Sequence, residues 1–274
     1  MKKVLILTIV LVISFVIYSQ NKVPKGMTFC PSGTFIKFDS DSVERTVSPF
    51  LISNEITNKE YRDFYTYIKK TPADTIYWID YKEATKYTKS FKDGNVKSFV
   101  KKVTHKDILS ILIDESVWTK DPSRKDYFFD TRYNNYPVIG VTFEGARFYC
   151  IWRTNKENKK RKARGKPYNH DYRIPLEAEW EYAASFNEKY TSKKKSELQK
   201  VSDGTKNKIG IYNLFGNVSE WIVLKNDKQE DGFNVYRGGS YKSGYSSSEK
   251  GKIVANKSTD YIGFRVVQTF IDKK

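Results

Sequence analysis

The sequence predicts a mixed α+β fold with little regular secondary structure, on three observations. Short apolar runs alternate on either side of turn residues, over too few positions for long strands. Two segments carry a helix cap followed by apolar residues at helical spacing. Aromatics make up 15% of the 274 residues, with 20 Tyr and 17 Phe, against a hydrophobic total of only 39%. Rings bury much area each, so the expected core is aromatic rather than aliphatic. A chain of this length holds one large domain or two small ones.

Met1–Gln20 opens with Lys2 and Lys3, and Val4–Ile17 is almost unbroken Val, Ile, Leu and Phe before the small Ser19. This is the pattern of a secretory signal peptide over residues 1–20. The rival, a membrane anchor, needs about 18–20 apolar residues, which the run does not reach. No Cys ends it, which argues against a lipid anchor. Residues 21–274 then form the mature domain, with no integral membrane segment after cleavage. The formal charge of +17 loses two lysines with the leader and becomes +15. Its lysines are scattered and the chain is read as exported, so no nucleic-acid partner is expected.

Lys25–Phe38 alternates around Pro31-Ser32-Gly33 and predicts a hairpin. Phe50–Glu55 predicts a strand. Thr57–Lys69 predicts a helix, with Thr57 and Glu60 at capping-box spacing and Tyr61, Phe64, Tyr65 and Ile68 on one face. Residues 71–135 lack a sustained period and are read as a surface insertion whose aromatics fold onto the core. Tyr136–Thr142 predicts a strand, and Thr142 then caps a helix through Ala146, Tyr149, Cys150 and Trp152. The basic run Lys156–Lys166 reads as a solvated loop, with polyanion binding as the sharper alternative. A further helix holds Glu177, Glu179 and Glu181, with Trp180 and Ala183 towards the core; a structural role outweighs a general acid there.

The densest chemistry lies in Ile211–Trp221, IYNLFGNVSEW. Asn213 and Asn217 tolerate left-handed backbone and Gly216 permits a sharp turn, while Glu220 adds a carboxylate and Trp221 an apolar anchor. Amide, carbonyl and carboxylate oxygens in one tight loop suit a hard cation such as Ca²⁺. A turn pinned on a buried Trp is the plainer alternative. With only His105 and His170 in the chain, no His-based metal triad can be built.

Four segments occur in fixed order: Arg173–Ser185 (RIPLEAEWEYAAS), Ile211–Trp221, Tyr236–Tyr241 (YRGGSY) and Gly263–Val267 (GFRVV). Together they resemble the formylglycine-generating, or sulfatase-modifying factor, family over about Lys25 to Val267. The Glu55–Phe64 stretch is similar to the family's ExTnxxYxxF helix start, and Leu176 replaces its usual capping Thr. The resemblance implies a variant C-type-lectin-like fold over residues 21–274. It also implies a structural Ca²⁺ held by Asn213, the carbonyls of Gly216 and Val218, and Glu220. Arg237 and Arg265 are expected to lock the core. Catalytic relatives carry two copper-binding cysteines after RGGSW; the matching places here are Ser243 and Ser248. A hydroxyl is too hard a ligand for Cu(I), so no copper and no catalytic residues are expected. The family's cysteine at Cys150 often pairs with one at the place of Val266, and Cys30 is the substitute partner for a disulfide.

The resemblance therefore implies a pseudoenzyme: an exported scaffold or binding protein of the periplasm or outer-membrane periphery, with another cell-envelope protein as partner. Tyr136–Thr154, YPVIGVTFEGARFYCIWRT, is most similar to gliding-motility and type IX secretion members of Bacteroidetes. Two alternatives stay open, a copper-dependent formylglycine-generating oxidase using other residues and a C-type-lectin-like ligand-binding module.

Overall fold

The computed structural model describes residues 23–38, 42–71, 77–79, 100–102, 109, 111–118, 121–168, 171–187, 196–224, 232–246 and 249–270. The leader lies outside them. In chain order come β1 (Met27–Cys30), β2 (Gly33–Ile36), β3 (Glu44–Val47), β4 (Phe50–Ser53) and helix α1 (Asn58–Lys70). Then follow β5 (Tyr77–Ile79), β6 (Val100–Lys102), α2 (Phe143–Ala163), β7 (Tyr172–Arg173) and α3 (Glu177–Ser185). The series closes with β8 (Ser219–Ile222), β9 (Phe233–Arg237), β10 (Lys250–Val254), β11 (Ile262–Gly263) and β12 (Val267–Thr269).

Two four-stranded sheets organise these pieces. The first runs β1-β4-β12-β7 and is antiparallel throughout. The second runs β10-β9-β8-β11, with β11 parallel to β8. Side chains alternate across β4, as they must on a pleated strand. Leu51 enters one core with α1 and α2, whereas Phe50 and Ile52 enter a second core with α3. The first sheet is thus covered on both faces.

The α1 cap forms as its spacing predicts. Thr57 Oγ1 accepts from the Glu60 N–H at 3.2 Å, and Glu60 Oε2 accepts from the Thr57 N–H at 3.0 Å. Tyr61 and Phe64 point inward. The Tyr61 ring stacks on Tyr149 at 5.8 Å and meets Phe264 edge-on at 6.0 Å. Each such pair contributes about 0.5–1.5 kcal/mol beyond its buried area. The first core is aromatic, as the composition implies.

Several sequence expectations need correction. Lys25–Phe38 is not a hairpin, because β1 pairs with β4 and β2 with β3, and Tyr136–Thr142 forms no strand, only an isolated bridge from Pro137 to Thr57. Helix α2 does not stop near Trp152 but runs on to Ala163, so most of the basic stretch is helical. Lys, Arg, Glu and Ala are strong helix formers, and cations in the last turn oppose the helix dipole. In the described part of residues 71–135 side chains fold onto the core as expected: Leu112, Ile113, Trp118, Tyr127 and Phe128 are buried in the first core, Leu112 at the end of a helical turn and the others beside turns capped by Asp114, Asp121 and Asp130.

The expected Cys30–Cys150 disulfide is not formed; both thiols are free and buried. Cys30 stands opposite Phe50 in the β1–β4 register and shares its core, while Cys150 faces the other core from α2. The first sheet lies between them, and a bridge needs Cα atoms within about 7 Å. Burial pushes each thiol up to about 12. At pH 7.5 the folded chain should therefore resist alkylation, and denaturation without reductant should expose two reactive thiols. A mass spectrum of the denatured, alkylated chain showing an intact bridge would contradict this arrangement.

Candidate functional site

The Asn-Gly loop leads into β8. Asn213 (φ 60°) and Asn217 (φ 63°) take the left-handed backbone that their short polar side chains tolerate. Gly216 does not. Its requirement is space, because a Cβ there would stand 2.6 Å from the Tyr245 ring. Both Asn amides turn inward onto one carboxyl group. Asn213 Nδ2 donates to Glu55 Oε2 at 2.8 Å, and Asn217 Nδ2 donates to Glu55 Oε1 at 3.0 Å. Asn217 also ties down the backbone of Gln199, accepting from its N–H at 2.9 Å and donating to its carbonyl at 3.2 Å. Glu55 is 2% exposed, and burial, followed by the neighbouring Glu220, pushes its carboxyl well above the usual carboxylate range.

Glu220 is occupied differently from the ligand role expected for it. Its Oε2 accepts from Arg265 Nε at 2.6 Å and from Trp180 Nε1 at 2.7 Å, and its Oε1 accepts from the other arm of Arg265 at 2.5 Å. Arg265 further donates to the carbonyls of Ser53 at 2.9 Å and Tyr212 at 3.0 Å. Trp221, immediately behind, donates to the Val141 carbonyl at 3.0 Å and packs edge-on against Phe143. The loop's anchor is thus both apolar and ionic. Glu55 thus accepts from the two Asn amides and Glu220 from Arg265 and Trp180, so both carboxyl groups of the site are already engaged by protein donors. Among the described residues no three His, Cys, Asp or Glu side chains gather as a metal cluster. Sequence reasoning took Glu55 only as part of a helix start and missed its place here, because its partners lie 158 and 162 residues away.

A second buried cation holds α3. Arg237 bonds Glu177 at 2.9 Å and also Glu181, and Lys250 adds a 2.7 Å bond to Glu177. Glu179 points elsewhere, forming a two-pronged pair with Arg173 at 2.6 Å on each arm. It also reaches back to the Leu176 N–H at 2.8 Å, so the helix start is held without the missing Thr. All three glutamates are structural ion-pair partners, as are Arg237 and Arg265.

Ser243 lies in a turn of hydroxyls. The Ser243 hydroxyl accepts from the Ser240 N–H at 3.0 Å, lies 3.1 Å from Ser240 Oγ and donates to Glu249 Oε1 at 3.1 Å. The chain doubles back tightly, since a Cβ on Gly239 would stand 1.9 Å from the Gly244 carbonyl oxygen. Burial raises the Glu249 carboxyl. A serine with a carboxyl neighbour and no oriented base is a weak nucleophile. Ser248, like His105 and His170, lies outside the described residues. Beside this turn is an open cleft of about 630 Å³, lined by Phe186, Phe215 and Tyr245 with Lys206 and Lys208.

Two sheets of very short strands, joined by buried ion pairs and long ordered loops, define the variant C-type-lectin-like architecture. Residues 16–270 match the sulfatase-modifying factor enzyme 1-like domain, and the chain belongs to that family. It is 25% identical over 261 residues to the inactive C-alpha-formylglycine-generating enzyme 2 of Bos taurus, covering 81% of this chain and 78% of that protein. The structure is similar to CarF, with a TM-score of 0.51, 18% identity and coverage of 90% of this chain and 99% of CarF. It is also similar to PvdO from Pseudomonas aeruginosa, with a TM-score of 0.50, 18% identity and coverage of 89% and 94%. These two likenesses establish the fold.

Truncating a partner of a buried ion pair strands the other charge, at about 3–5 kcal/mol. Glu220→Ala should lower the melting temperature by about 6–20 °C for a chain of this size. In a double-mutant cycle with Arg265→Ala, the loss should be less than the sum of the single losses. Calorimetric melts of the four forms measure both effects.

Proposed function

We propose that this chain is a non-catalytic, exported binding or scaffold protein on the sulfatase-modifying factor fold. The observation that carries the proposal is Ser243. A residue standing at a cysteine place of the catalytic relatives is spent on holding a turn, through Ser240 and Glu249. The other sulfurs that an oxidase would need are Cys30 and Cys150, both buried, in separate cores. The description of the Bos taurus relative as inactive agrees with this reading. The packing of the fold is intact around it: Glu220–Arg265, Arg237–Glu177 and the Asn-Gly loop.

The cleft beside the Ser243 turn, with its rings and lysines, is the surface on which a partner is proposed to dock. The Tyr136–Thr154 similarity favours a cell-envelope protein of a secretion or gliding machine, met at the periplasm or outer-membrane periphery after removal of residues 1–20. Among the described residues no helix is long and apolar enough to cross a membrane. A structural Ca²⁺ is proposed at the Asn213 loop, through Asn213, Gly216, Val218 and Glu220, with Glu55 as an added carboxyl nearby. The amide, carbonyl and carboxylate oxygens that the loop sequence supplies support this.

The catalytic side is tested by incubating purified protein with copper, oxygen and a Cys-x-Pro-x-Arg peptide. No formylglycine should appear in the peptide mass spectrum; turnover that vanishes in Ser243→Ala would sink the proposal. The metal is tested by melting. Saturating Ca²⁺ should raise the melting temperature of metal-stripped protein, as any ligand selective for the folded state does. That shift should be lost in Glu220→Ala, whatever the variant's own baseline. Identical curves with Ca²⁺ and chelator would leave the loop as a metal-free turn.

A further inference from the structure

The outer side of helix α2 presents two unlike surfaces end to end. Towards its C-terminus, Lys156, Lys159, Lys160 and Lys162 are exposed, whereas Glu157, Asn158 and Arg161 turn partly inward. At 100° per residue the four lysines fall within an arc of about 160°, one side of the cylinder. Arg164 and Lys166 continue the charge beyond the helix, and Tyr168 follows at 64% exposure. Glu157 alone interrupts it, and Lys160 answers Glu157 at 3.3 Å. One turn earlier the surface becomes aromatic and aliphatic. The Lys156 ammonium lies 4.3 Å from the Trp152 ring, Tyr67 of α1 adjoins that ring at 6.2 Å, and Ile151 stands exposed alongside.

The helix dipole does not account for this. Its influence is confined to the last turn, and Lys156 and Lys159 stand before it. Solubility does not either, because soluble surfaces intersperse both signs and this one sets four exposed lysines against the single Glu157. We infer that the outer face of α2 docks peripherally on an anionic lipid surface. Lysines on flexible stems complement phosphate headgroups over a plane, and half-exposed Trp and Tyr rings are the side chains that settle at headgroup depth. Lysines over one side of the helix, with the Trp152 and Tyr67 rings before them and the exposed Tyr168 after them in sequence, suit a fluid sheet better than a shaped protein partner. The inference goes beyond the binding-protein reading and does not depend on it, since the cleft beside Ser243 is formed by other residues.

Each lysine near an anionic surface strengthens binding about fivefold, so removing three should weaken it about a hundredfold. The test is co-sedimentation of the full chain with phosphatidylcholine vesicles, with and without one-third phosphatidylglycerol, at 0.1 M salt. The leader binds both vesicles and its Lys2 and Lys3 favour the anionic one, so what counts is the difference between the wild-type chain and the lysine variant. The wild-type chain should prefer the anionic vesicles at least tenfold. K159Q/K160Q/K162Q should lose that preference while keeping its circular dichroism and melting temperature, and 0.5 M salt should abolish it. Tyr168→Ser should weaken vesicle binding severalfold without changing retention on polyglutamate. Equal binding to both vesicles, or a triple variant within twofold of wild type, would overturn the inference. So would binding to polyglutamate that exceeds vesicle binding at equal charge, which would assign the face to an acidic polypeptide.

Discussion

The molecule is held together at Arg265. This residue stands where the chain leaves the second sheet at β11 and enters the first at β12, and its side chain works in both directions. It clamps Glu220 on β8 and caps the carbonyl of Ser53 on β4. Glu220 in turn receives the Trp180 indole from α3. One guanidinium therefore fixes the relative position of two sheets and a helix whose strands are too short to fix themselves. Strands of two to five residues make few ladder bonds each, so the angular precision of buried charge replaces length of pairing.

That reliance on buried charge places the groups that hold the fold inside and leaves the hydroxyl turn outside. Arg265, Arg237, Glu220 and Glu177 are buried, whereas Ser243 lies on an exposed turn that is satisfied by Ser240 and Glu249. Replacing Glu220 or Arg265 would leave its buried partner without its opposite charge.

Much of this was legible where the physics is local. Thr57 and Glu60 sit three residues apart and form their box; Thr142 caps α2 as its position demands. The motif segments around Arg237 and Arg265 pointed to core-locking arginines, which is their role. What sequence could not supply is distance in space. Glu55 meets its amide partners across more than 150 residues, and no spacing rule reaches so far. Cys30 and Cys150 looked like a natural pair until the sheet was placed between them. Trp118 and Phe128 have no period because they come from short turns, and turns show no periodicity even when their side chains reach the core. Helix α2 was read too short because charge was taken for a loop signal when its helix propensity was high.

The placing of β12 bears on how the chain becomes a protein at all. In the first sheet this late strand is not an edge; it lies between β4 and β7, joining the earliest strands to the middle of the sequence. Neither neighbour can complete its hydrogen bonding until residues 267–269 have been synthesised. Contacts of such sequence separation slow the search for the native state. A chain built this way cannot complete its first sheet until nearly all of it exists, so the pairing that closes the sheet is among the last contacts available to it.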